Sequence, residues 1–182
     1  TLGSDRGCTN ARSRLGCRWN LAGSLMRRDG SSLVAEALTR PGGAGPNEDL
    51  VGWHGSLAWV VDGATPVTPN LIDAASDARW LAERVDASLR GVAADGSAPS
   101  VADIVRLVAL DIDEELRRAG FPNEALPPAC SLGLVRIESD EVTLAIVGDA
   151  LVYADGPGQL LDDSRFGRNE KRSRSDHGDR AS

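Results

Sequence analysis

The chain has 182 residues, 41% hydrophobic and 26% charged, which is ordinary for one globular domain with a sizeable core. A formal charge of -7 argues against a nucleic-acid partner, because phosphate backbones are bound through clustered Lys and Arg; a metal site can still present local positive charge to a phosphorylated substrate. No apolar run nears the roughly 20 residues that span a membrane, and the N-terminal stretch lacks the apolar centre of a signal peptide, so no membrane partner and a cytoplasmic location are expected.

Residues 1–32 are rich in Arg, Ser and Gly and keep no period of 2 or 3.6, so no core-forming element is assigned and a disordered leader is expected. Cys8, Cys17 and Cys130 are widely spaced with no CxxC pair, which suggests neither a disulfide framework nor a zinc site. Lys171 is the one lysine among 20 basic residues, a bias of GC-rich bacterial coding sequence.

The patterned region is expected over residues 33–162. Leu50 to Trp53 and Leu57 to Val61 are apolar runs flanking His54-Gly55-Ser56 and read as a β-hairpin ending at Asp62-Gly63. Thr68-Pro69 reads as the start of a helix whose buried face is Leu71, Ala75, Ala78, Ala82, Val85, Leu89 and Val92. A second helix opens at Ser100 with Asp103 in a capping-box arrangement, buries Val101, Ile104, Val105, Val108, Ile112 and Leu116, and stops at Gly120 and Pro122. Beyond a Pro-rich linker the period changes to 2. Leu132 to Ile137, Val142 to Val147 and Leu151 to Tyr153 read as a β-meander, followed by Gln159 to Leu161. This order predicts an α+β fold with helices packed on an antiparallel sheet. Residues 163–182 bury almost nothing apolar and read as a disordered tail, although both ends would look the same as out-of-frame translation flanking a domain.

Three acidic clusters fall beside strand ends: Asn47-Glu48-Asp49, Asp62-Gly63 and Gly148-Asp149. Each alone is an ordinary turn or polar loop. Together they suit a hard divalent cation, which prefers oxygen ligands, and a hairpin over Leu50 to Val61 brings Glu48, Asp49 and Asp62 to one end. His54 and His177 have no motif-like setting, and Cys130 reads as a core-facing residue.

Pro46-Asn47-Glu48-Asp49, then Leu57 to Thr65 with its Val61-Asp62-Gly63, then Ala145 to Tyr153 with its Gly148-Asp149, resembles the ordered NED, V-x-DG and GD-S/A motifs of PP2C-type metal-dependent protein phosphatases. The resemblance covers about residues 39–161 and implies a sandwich of two antiparallel β-sheets flanked by helices, with two Mn²⁺ or Mg²⁺ ions between the sheets. It implies that Asp62 bridges both ions, that Glu48 and the Gly63 carbonyl are ligands, that Asp49 holds metal-bound water, and that Asp149 lies near a third, weaker metal position. The implied reaction is hydrolysis of phosphoserine or phosphothreonine in proteins by a hydroxide bridging the ions. Two departures are visible. Ala44 stands where the family carries a phosphate-binding Arg, for which Arg40 is the candidate substitute, and nothing after Leu161 resembles the family's later DG and Asp-Asn motifs. The chain is therefore expected to hold the N-terminal part of such a domain and to show little activity alone; the alternative is a non-catalytic binding or regulatory module.

Overall fold

Small and apolar residues from Trp19 to Met26 and from Ser32 to Thr39 form β1 (Trp19–Met26) and β2 (Ser32–Thr39), an antiparallel pair with Trp19 opposite Thr39. The computed structural model describes residues 19–26, 32–41, 45–64, 69–72, 74–95, 100–138, 141–154 and 159–162. β1 lies inside residues 1–32, where the sequence pattern assigned no element. Gly23 and Ser24 dilute its alternation, so this strand is defined by its ladder with β2 more than by its own residues. The expected disorder of residues 1–18 and 163–182 lies outside the described residues.

The central sheet has four antiparallel strands in the order β3 (Leu50–His54), β4 (Leu57–Ala64), β5 (Ala129–Glu138), β6 (Glu141–Val147). His54 pairs with Leu57, so Gly55 and Ser56 make a two-residue turn, and the φ of 57° at Gly55 is the first-position requirement of type II′. β4 runs on through Asp62 to Ala64, so Asp62 lies within the strand instead of following it. Alternation gives β4 one face of Leu57, Trp59 and Val61, all buried, and β5 contributes Leu132 and Leu134 to the same side.

That face is covered by α1 (Asp77–Asp95) and α2 (Val101–Arg118), which complete one core through Leu81, Val85, Leu89, Ile104 and Val108. α1 begins later than Thr68-Pro69 predicts, which leaves Leu71 and Ala75 outside it and exposed. Ser76 caps the helix, its Oγ accepting the Arg79 N–H at 3.0 Å. The buried Asp77 carboxylate accepts the N–H groups of Leu71 at 2.9 Å and Ile72 at 3.0 Å, which draws these two residues back onto the start of α1. α2 starts as expected: the Ser100 Oγ accepts the Asp103 N–H at 3.1 Å.

The expected meander ends at β6. β7 (Leu151–Ala154) leaves the sheet and pairs with β8 (Gln159–Asp162). The departure occurs at Gly148, whose φ of 80° a side-chain-bearing residue rarely adopts. Residues of β2 and β7 face the helix-free side of the central sheet across a cleft of about 310 Å³ bordered by Val51, Trp53, Val60 and Val135. The architecture is α+β, with helices on one face of the antiparallel sheet and further strands over the other. Among the described residues no helix is long and apolar enough to cross a membrane.

Candidate metal centre

The pairing of Leu50 with Val61 sets the segment before β3 beside the end of β4, so Glu48 and Asp49 come to Asp62 through the hairpin itself. Asp149 arrives from the other direction. β5 places Ser131 opposite Asp62, and the Ser131 hydroxyl donates to the Asp149 carboxylate while accepting the Asp149 N–H at 3.2 Å. Glu48, Asp49 and Asp149 therefore all lie near enough to act on Asp62 at one end of the central sheet. Asp62 registers this directly: its carboxyl is raised from 3.8 to about 6, first by burial, then by its hydrogen bond with Asp49 and by the negative charges of Asp49, Asp149 and Glu48.

The loop before β3 is held from several sides. Asn47 Nδ2 donates to Thr39 Oγ1 at 2.9 Å, Thr39 Oγ1 donates to Asp49 Oδ2 at 3.4 Å, and the Asp49 N–H donates to Asn47 Oδ1 at 3.3 Å. The Gly63 N–H donates to the Glu48 carbonyl at 3.3 Å, and a β-carbon at Gly63 would stand 2.9 Å from that oxygen. Gly63 is thus required by close approach of main chain to main chain. Two contributors escaped the sequence reading. Ser131 looks like any polar residue in an alternating strand until the β4–β5 register is known, and Arg79, which donates to the Asn47 carbonyl at 2.8 Å, looks like an exposed helix position.

The donor set is all oxygen, and carboxylates gathered until one resists ionisation are what a hard divalent cation relieves. In donor type the residues suit Mg²⁺ or Mn²⁺. Among the described residues, however, no three acidic, His or Cys side chains are grouped closely enough to form a finished cage, so they supply part of a coordination shell. Among the described residues other nucleophile chemistry is disfavoured: the Cys130 thiol is pushed up to about 11 by burial and by Asp62, and His54 is exposed at the hairpin turn away from the acids. Arg40, the candidate phosphate-binding residue, is exposed just past β2.

No protein-family model matches the sequence, and no curated protein matches it. Among solved structures, the chain is similar to the Mycobacterium tuberculosis serine/threonine phosphatase PstP/Ppp, with a TM-score of 0.50 and 17% identity over 79% of this chain and 52% of that one. A second similarity is to the S. agalactiae serine/threonine phosphatase, with a TM-score of 0.47 and 17% identity over 86% of this chain and 60% of that one. The fold is PP2C-like, and the chain spans about half the length of the first of these structures.

Proposed function

We propose that this chain carries the acidic side of a divalent-metal site of PP2C type, and that the complete site hydrolyses phosphoserine or phosphothreonine in cytoplasmic proteins. The observation that carries the reading is geometric: the β3–β4 hairpin and the β4–β5 register bring Glu48, Asp49, Asp62 and the Ser131-bound Asp149 to one end of the central sheet. Asp62, Glu48 and the Gly63 carbonyl would hold Mn²⁺ or Mg²⁺, Asp49 would orient water, and Asp149 would border the site. When bound, such ions supply Lewis acidity and charge for phosphoryl transfer. The chain's own residues bring the carboxylates to one sheet end, and burial keeps the nearby Cys130 thiol protonated and so a poor nucleophile.

A non-catalytic module of the same fold is the second reading, favoured by the lack of a finished cage among the described residues. Calorimetric titration with Mn²⁺, followed by hydrolysis of a phosphothreonine peptide, separates the two. Two ions and Mn²⁺-dependent release of phosphate support the phosphatase, whereas one weak ion without turnover supports the module. Absence of any Mn²⁺ binding sinks the metal-site reading.

A further inference from the structure

Arg79 sits in the first turn of α1, yet its guanidinium leaves the helix and meets the main chain of the acidic loop. Nη1 donates to the carbonyl of Asn47 at 2.8 Å and reaches that of Asp49 at 3.5 Å. Nε donates to Glu83 at 2.8 Å one turn further along, which fixes the guanidinium plane. The carbonyl between these two, that of Glu48, accepts the Gly63 N–H. Three successive carbonyls are thus anchored, two by a helix and one by a strand, while Thr39 of β2 holds the side chains of Asn47 and Asp49 from the other side.

Anchoring matters because the Leu50–Val61 pairing and the Gly63–Glu48 main-chain bond set the Glu48-Asp49 segment beside Asp62, where like charges repel and an untied loop would swing away. The geometry points to Arg79 as a positioning residue: it holds residues 47–49 in the conformation that presents Glu48 and Asp49 to Asp62, and so sets the affinity of that site for a divalent cation. The inference rests on the metal-site reading above. The guanidinium donates to Glu83 from Nε and to the two carbonyls from Nη1 in one rigid plane, whereas the three donors of a lysine ammonium sit on a single nitrogen and cannot reproduce that spread.

The test compares the wild-type chain with Arg79→Met, which keeps most of the apolar stem, and Arg79→Lys, which keeps the charge. In metal-free protein, amide hydrogen exchange should rise about tenfold at Gly63 and Asp49 in Arg79→Met, less in Arg79→Lys, and stay unchanged at Leu89 inside α1. Mn²⁺ affinity should fall on the order of tenfold or more in Arg79→Met, the scale of losing a residue that orients ligands, with Arg79→Lys between it and wild type. Unchanged exchange at Gly63, or a rise that extends equally to Leu89, overturns the positioning role. So does a folded Arg79→Met that binds Mn²⁺ as the wild type does. If the wild type binds no Mn²⁺, the metal reading fails, and the exchange arm still decides whether Arg79 ties the loop.

Discussion

The carbonyl oxygen of Glu48 lies 2.9 Å from the point where a β-carbon on Gly63 would sit, and the Ala78 carbonyl oxygen lies 3.0 Å from the same point. Both obstacles are main chain and cannot rotate away, so in Gly63→Ala either the acidic loop or the start of α1 must shift, at about 1–3 kcal/mol. Urea denaturation should show that loss and Mn²⁺ titration a weaker site. A folded Gly63→Ala with wild-type stability would mean that the contact gives way without cost.

Asp62 links stability to pH. With its carboxyl raised from 3.8 to about 6, the folded chain keeps a proton over that window which the unfolded chain releases. Its contribution is full below 3.8 and is lost as pH rises through about 6. Asp62→Asn fixes the uncharged form, so its stability relative to wild type should grow between pH 4 and about pH 7 while Mn²⁺ affinity collapses. A stability difference that stays flat across that range would contradict the assigned repulsion.

Asp86 serves the core. It accepts the indole N–H of the buried Trp59 at 2.8 Å and two donors of Arg90, whose guanidinium lies 5.4 Å from the Trp59 ring. Asp86→Ala strands a buried donor and should cost about 1–3 kcal/mol by urea denaturation. In a double-mutant cycle with Trp59→Phe the double mutant should lose less than the sum of the two single-mutant losses, and strict additivity would deny the coupling.

Ser131 ties the Gly148-Asp149 corner to β5. Ser131→Ala should speed hydrogen exchange of the Asp149 amide and cost on the order of 1 kcal/mol, with a smaller drop in Mn²⁺ affinity than Asp62→Asn causes. An Asp149 amide that exchanges as before would show that the corner is held elsewhere.

The sequence showed most of the helix-covered face, because Ile104, Val108, Leu132 and Leu134 follow clean periods and Ser100 carries a complete cap. It misled at α1, where Thr68-Pro69 offers a better local start than Ser76, until the Asp77 carboxylate is seen capturing the loop amides. It also continued the meander past Gly148, since apolar alternation in Leu151 to Tyr153 does not say which sheet a strand joins. The acids of the site were legible as clusters beside turns. Their supports were not, because Arg79 and Ser131 earn their positions only through contacts distant in sequence.

The β4–β5 ladder joins Ala64 to Ala129, and the whole helical hairpin lies between those two residues. The β3–β4 and β5–β6 hairpins of the central sheet and the α1–α2 pair close through local contacts, whereas this central ladder requires a long loop to close first, so its zippering is the expected slow step of refolding. The acidic centre then assembles in two stages. Asp49 meets Asp62 as soon as the β3–β4 hairpin forms, but Asp149, carried by Ser131, is added only when β5 docks. The full negative charge is therefore expected to gather in the same step that completes the sheet.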